Sequence, residues 1–212
     1  MTEPRSGEQA VDVRDATERY FSSVAGLLRG IDRGAIERVV ETIREAQKQD
    51  ACVFIVGNGG SAATCAHFAN DLLNATRAAG RPLRVFSLAD NTASLTGLPN
   101  DDGFEHVFAI PVASFARPGD VLIAISASGN SPNVLRAVET AHARGARTVG
   151  LVGFDGGRLA RLVDVPLLVA SAIGAYGPVE DAHLVLQHLI CTCLRHSMCA
   201  AEPALPGVLA HA

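Results

Sequence analysis

Short, continuous apolar runs alternate with segments of helical periodicity along most of this chain. Apolar residues at helical spacing predict two leading helices, over about 11–28 and 32–49. Beyond them, apolar runs predict five strands, and further helical segments lie between and after these runs. The predicted strands are 52–56, 83–88, 121–126, 148–152 and 165–169, and the predicted later helices are about 61–78, 92–114, 131–144, 156–162 and 179–198.

Strands and helices in alternation, joined by short connections, are typical of a doubly wound α/β sheet. The runs are apolar at consecutive positions, as in parallel strands that are buried between two layers of helices. We therefore expect one domain, a five-stranded parallel sheet flanked by helices (a flavodoxin-like three-layer sandwich) with two N-terminal helices. Its expected limits are 13–198, between a flexible N-terminus at 1–12 and a flexible tail at 199–212.

Charge and composition narrow the range of partners. The 212 residues carry a formal net charge of −4, so we expect no nucleic-acid partner. No apolar run approaches the roughly 20 residues of a membrane helix, and the N-terminus lacks the apolar core of a signal peptide. The five cysteines contain no CxxC pair and are expected to be reduced core residues. These features predict a cytoplasmic protein with no membrane partner.

The first predicted strand ends in a glycine-rich loop, GNGGS, which leads directly into a helix. Ser61 stands at the start of that helix, where free backbone N–H groups and the helix dipole favour an anion. Glycines let the backbone approach a ligand closely. The spacing matches neither GxGxxG nor GxxxxGK[ST], so no nucleotide cofactor is expected.

A second loop, SASGNS, follows the third predicted strand and supplies the hydroxyls of Ser126, Ser128 and Ser131. Ligands of open parallel sheets lie beyond the carboxyl ends of the strands, so the two loops should converge there. Either loop alone is as readily explained by a helix cap and a turn. Together, after two apolar strands, they predict a site for a phosphate monoester made of neutral hydroxyls and amides.

Several motifs resemble those of the phosphoheptose isomerases, enzymes of the SIS (sugar isomerase) fold that convert sedoheptulose 7-phosphate into an aldoheptose 7-phosphate. These motifs are GNGGSA, NDDGFEHVF, RPGDVLIAIS, the segment 128–153 and DGG. The resemblance, from about residue 15 to 196, implies an aldose–ketose isomerase that forms D-glycero-D-manno-heptose 7-phosphate, or acts on a related ketose phosphate, through an enediol. The substrate-binding residues that it implies are Asn58, Gly59, Gly60, Ser61, Asn91, Thr92, Ser126, Ser128, Ser131 and Glu180, with the four serines on the phosphate.

Acid–base chemistry points to two helices. His67 and Asp71 are four residues apart, and Glu180 and His188 are eight apart, so each pair shares a helix face. Two imidazoles and two carboxylates could bind zinc, although His67 and Asp71 alone are better explained as a solvated pair. By resemblance, all four surround a zinc ion and the reacting carbons, with His188 as the acid. The family has Glu at position 71 and Gln at 180, so either Asp71 or Glu180 is the expected base.

The resemblance further implies a homotetramer with active sites at subunit borders and a phosphorylated sugar as substrate. The alternative is a non-catalytic SIS-type protein that binds a sugar phosphate or a replication initiator. Retention of both histidines, His67 and His188, favours the enzyme, since a binder has little use for them. A deaminating or amidotransferase-linked hexosamine-phosphate enzyme fits less well, because the chain has no N-terminal nucleophilic cysteine.

Overall fold

The computed structural model describes residues 12–77 and 82–199 of the chain. The predicted flexible segments lie almost entirely outside these residues, so their flexibility stays a prediction. Two helices lead the fold, α1 (Val13–Arg29) and α2 (Arg33–Lys48). Each begins after an aspartate, Asp12 or Asp32, whose side chain accepts hydrogen bonds from backbone N–H groups of the first turn. Such caps satisfy donors that have no partner inside the helix.

Five parallel strands form one sheet within the described residues: β1 (Cys52–Gly57), β2 (Arg84–Ser87), β3 (Val121–Ser126), β4 (Arg147–Phe154) and β5 (Val165–Ala170). Their order in the sheet is β2-β1-β3-β4-β5. Strands β1 and β3, at its centre, are buried at every position, as expected of strands covered on both faces. The predicted doubly wound, five-stranded parallel sheet is confirmed.

Helices cover both faces of the sheet. The helices after α2 are α3 (Gly60–Arg77), α4 (Thr92–Asp102), α5 (Ala109–Phe115), α6 (Pro132–Ala143), α7 (Leu159–Leu162) and α8 (Tyr176–Cys199). One apolar core contains residues of α2, α3 and α8, and the other contains residues of α5, α6 and α7. No helix in the described part of the chain is long and apolar enough to cross a membrane.

The single helix predicted over 92–114 is wrong. The segment contains α4, a short 3₁₀ turn at Phe104–His106, and α5. Gly103, which separates the first two, has φ 94°, a backbone conformation outside the helical region that glycine adopts readily. Pro111 fits in the first turn of α5, where its missing N–H costs no helical hydrogen bond.

The strand order reverses direction between β1 and β3, which are adjacent in the sheet. Gly57 at the end of β1 pairs with Ile125 near the end of β3. The loops that follow these two strands therefore emerge side by side. In an open α/β sheet this position, the topological switch point, is where ligands bind.

Candidate active site

The two serine loops meet in a cavity of about 140 Å³ at the switch point. We call it the serine cavity. Ser61 contributes from the first turn of α3, and the loop after β3 contributes three more serines. The polar residues and the tyrosine that line it are Asn58, Ser61, Ser126, Ser128, Ser131, Tyr176 and Glu180.

The hydroxyls of this cavity are available to an anion. Ser131 is the N-cap residue of α6, yet its hydroxyl makes no capping hydrogen bond. The hydroxyl oxygens of Ser126 and Ser128 accept backbone N–H groups at 3.1 and 3.3 Å, which leaves their protons free to donate. Since α3 and α6 both start at this cavity, their N-terminal dipoles favour a negative charge there, although none of the described lining residues is cationic.

The loop after β3 is held rigidly by the loop after β4. Gly129 has φ 62°, and a side chain at this position would collide with the carbonyl oxygen of Gly156. The side chain of Asn130 accepts the backbone N–H of Arg158 at 3.1 Å and donates to the carbonyl of Ser128 at 2.9 Å. The backbone that carries Ser126, Ser128 and Ser131 is therefore held in place by contacts within the protein.

Asn58, predicted to contact the substrate, uses its side chain to join the two loops. Its amide exchanges two hydrogen bonds with the amide of Asn133, which lies in the first turn of α6. Sequence reasoning missed Asn133, because nothing in the local pattern indicates a partner 75 positions away. In the sequence, Asn133 stands out only as a residue that follows the second serine loop.

Glu180 lies in the serine cavity, just after the first turn of α8. Its carboxylate packs so closely on Gly60 that any side chain at position 60 would overlap it. Gly60 is the first residue of α3, so the carboxylate takes up the position at the helix N-terminus that suits an anion. A bound phosphate would meet this carboxylate as a like charge.

A second cluster of chemical groups lies where α3 and α8 pack side by side. His67 and Asp71 come from α3, and His188 comes from α8. The Asp71 Oδ2 atom is 3.3 Å from His67 Nε2 and 3.5 Å from His188 Nε2, and the two Nε2 atoms are 3.5 Å apart. We call this group the His–Asp–His cluster. Among the described residues it is the one group of three or more His, Cys, Asp or Glu side chains whose ligand atoms lie close enough together to hold a metal ion.

The spacing of the three atoms fits a zinc ion. Ligands held about 2.0–2.1 Å from a tetrahedral ion are about 3.4 Å apart, close to the distances in the cluster. Two imidazoles and one carboxylate are a common set for catalytic zinc, which keeps a fourth position open. Glu180, predicted as a fourth ligand, lies in the serine cavity and not in this group, and its metal role stays a prediction.

Two further polar side chains, Asp181 and His183, lie in the N-terminal third of α8. The Tyr20 hydroxyl donates to the Asp181 carboxylate at 2.6 Å, which ties α1 to α8, and this hydrogen bond raises the pKa of Tyr20. His183 is 1% exposed, and burial lowers the pKa of its imidazole to about 4. Its ring nitrogens are not part of the His–Asp–His cluster.

Asn91 and Thr92, both predicted substrate residues, begin α4 and do not line the serine cavity. The Asn91 side chain accepts the backbone N–H of Ser94 at 3.1 Å as the helix cap. Asn91 lines instead a separate cleft of about 490 Å³ beside the edge strand β2. Its role toward a substrate stays a prediction.

A family model, curated relatives and a solved structure all place this chain in the same protein family. The model of the SIS domain matches residues 19–153. The phosphoheptose isomerase of Trichlorobacter lovleyi is 38% identical to this chain over a match that covers 76% of this chain and 80% of the relative. The phosphoheptose isomerase of Nitratiruptor sp. is 42% identical over a match that covers 72% of this chain and 81% of the relative. The structure of the phosphoheptose isomerase from Neisseria gonorrhoeae superposes with a TM-score of 0.78 at 31% identity, covering 87% of this chain and 99% of that one.

Proposed function

We propose that this chain, which belongs to the SIS-domain family and within it to the phosphoheptose isomerases, interconverts sedoheptulose 7-phosphate and an aldoheptose 7-phosphate through an enediol. One observation carries the proposal. The serine cavity and the His–Asp–His cluster lie along the same two helices, α3 and α8. A binding site for phosphate is thereby joined to groups suited to proton transfer.

The separation of the two sites suits a seven-carbon sugar. At about 1.5 Å per residue, His67 lies about 9 Å and Asp71 about 15 Å along α3 from Ser61. An extended chain spans roughly 7–8 Å from C7 to C1, and the phosphate group adds to this length. A sugar whose phosphate is bound by the serines would therefore extend C1 and C2 toward the His–Asp–His cluster.

Isomerisation moves one proton from C1 to C2 while protons are exchanged between the two oxygens. We assign the base to Asp71, because it belongs to the cluster near the reacting carbons, whereas Glu180 lies at the phosphate end. His188 donates the proton to the carbonyl oxygen and recovers one from the neighbouring hydroxyl. His67, Asp71 and His188 would hold zinc through their facing Nε2 and Oδ2 atoms, and as a Lewis acid the ion would stabilise negative charge on the sugar oxygens. The proton transfers would then fall to the other atoms of the same side chains, Asp71 Oδ1 and His188 Nδ1.

We also propose a cytoplasmic homotetramer with active sites at subunit borders. The feature that supports assembly is α1, which has no buried residue within the described part of the chain. Its apolar side chains include Val13, 75% exposed, and Phe21, 66% exposed. An amphipathic helix left open in this way is typical of a surface that packs against another subunit.

The activity can be tested with ketose phosphates of five, six and seven carbons, supplied with zinc and followed by NMR. We expect an aldose product from sedoheptulose 7-phosphate and slower turnover of the shorter sugars, whose C1 and C2 would not reach the cluster. A sugar phosphate that binds in calorimetry but gives no product from zinc-loaded protein would instead support the non-catalytic alternative.

A further inference from the structure

Gln187 is a buried polar residue next to the His–Asp–His cluster. It precedes His188 on α8 and is 0% exposed. Its amide nitrogen donates to the Asp71 Oδ2 atom at 3.3 Å. Its amide oxygen is also buried, and it has no hydrogen-bond partner among the described residues.

Packing alone does not explain a glutamine at this buried position. An amide oxygen that is removed from water without a new partner destabilises the fold. The adjacent core positions on the same helix, Leu186 and Ile190, are apolar. The amide nitrogen and its hydrogen bond to Asp71 are therefore what distinguishes Gln187 from an apolar side chain.

The hydrogen bond falls on the atom of Asp71 that the cluster uses. Oδ2 is the oxygen that faces both His67 and His188. The other oxygen, Oδ1, accepts the side-chain amide of Asn70 at 3.3 Å. With one amide on each oxygen, the carboxylate cannot rotate without losing a bond. Outer hydrogen bonds of this kind orient ligands for a metal ion.

We propose that Gln187 is a positioning residue, which holds Asp71 Oδ2 at the distance from the two imidazoles that zinc requires. The inference rests on the proposed function insofar as the cluster binds zinc. It adds a residue that contacts neither the substrate nor the metal. It also gives a physical reason for the unpaired amide oxygen in the core.

The test compares the wild type with Gln187→Met, which keeps the size of the side chain and removes the donor. Zinc affinity is measured by competition with a chromophoric chelator, and unfolding by urea is measured on zinc-free protein. Leu186→Met, a packing change on the same helix, is the control. We expect Gln187→Met to weaken zinc binding about 10- to 100-fold. We expect its zinc-free stability to equal or exceed that of the wild type.

Zinc affinity within twofold of the wild type in Gln187→Met would overturn the inference, as would a wild type that binds no zinc. If Gln187→Met does not fold, Gln187→Asn is used, whose shorter side chain keeps the amide but withdraws it from Asp71, and the same loss of affinity is expected. Turnover of the wild type is recorded in the same samples. Zinc binding that depends on Gln187 without turnover would leave this inference standing while the isomerase activity fails.

Discussion

Asn58 and Asn133 are paired amide to amide across the two serine loops, with N···O distances of 2.9 and 2.8 Å. Asn133 is 1% exposed and Asn58 is partly buried, so the loss of a partner is costly chiefly at Asn133. The Asn133 Oδ1 atom also accepts the backbone N–H of Val134 at 3.0 Å. The pair thus fixes the loop of Ser61 relative to the loop of Ser131 before a phosphate binds.

Replacing Asn133 with alanine should loosen the phosphate site. Without the paired amides the two loops must be ordered when phosphate binds, and the loss of bonds worth about 1–3 kcal/mol corresponds to roughly 5- to 150-fold in KM. We expect kcat to change less, since Asn133 lies at the phosphate end. Steady-state kinetics on Asn133→Ala, with Thr140→Ala on the same helix as control, measures both constants. An unchanged KM in a folded variant would show that the pair serves stability only.

Replacing Glu180 with glutamine should strengthen the binding of sugar phosphates. The substitution removes a negative charge from the serine cavity and keeps the shape of the side chain. A like charge at about 4 Å costs on the order of 1 kcal/mol in a water-like medium, so we expect about fivefold tighter binding. Calorimetry with inorganic phosphate measures the effect, and the exposed Glu139→Gln on α6 is the control. Weaker binding would mean that the carboxylate contacts the sugar or a metal instead.

Asp71→Asn should abolish most turnover. The amide keeps the shape of the carboxylate but can neither take the proton from C1 nor carry its charge. Removal of a general base typically lowers kcat about 10²- to 10⁴-fold. The measurement is kcat at saturating zinc and substrate, beside Glu180→Gln. If Asp71→Asn kept more than a tenth of the activity and Glu180→Gln lost it, the base would be Glu180.

The buried His183 should make the fold less stable in acid. Its pKa is about 4 in the folded protein and about 6.5 in the unfolded chain, so only the unfolded chain gains a proton between these values. The free energy of unfolding therefore falls as the pH drops below about 6.5, and the loss that is due to His183 is complete near pH 4. In all, this loss amounts to about 3 kcal/mol.

Urea unfolding from pH 7.5 to pH 4.5 measures this loss, with His183→Leu as the comparison. As the pH falls, the free energy of unfolding should decrease more in the wild type than in His183→Leu. A difference that is constant across this range would show that His183 does not carry the effect.

The sequence predicts much of this fold because its signals are local. Apolar runs such as 52–56 and 121–126 need both faces covered, which leads directly to a parallel sheet between helices. The serine loops follow from strand, turn and helix in succession, and their convergence follows from the switch point. The break at Gly103 had a local signal too, but helical spacing on both sides of it concealed the interruption.

The parts that escaped prediction depend on partners far away in the chain. Asn133 pairs with a residue of another loop, and Gln187 on α8 reaches Asp71 on α3. In the sequence Gln187 is one polar residue in an amphipathic helix, and only its burial shows that it faces inward. Likewise, the spacing of Glu180 and His188 predicts a shared helix face, yet Glu180 lies in the serine cavity and His188 lies in the His–Asp–His cluster.

The most direct test of the isomerase is proton exchange during turnover. Zinc-loaded protein is incubated with sedoheptulose 7-phosphate in D₂O, and the sugar is followed by ¹H and ¹³C NMR, with Asp71→Asn as the control. An enediol mechanism predicts an aldoheptose 7-phosphate that carries deuterium at C2, and exchange at C1 of the remaining ketose. No aldose and no exchange at C1, with zinc and sugar both bound, would contradict it.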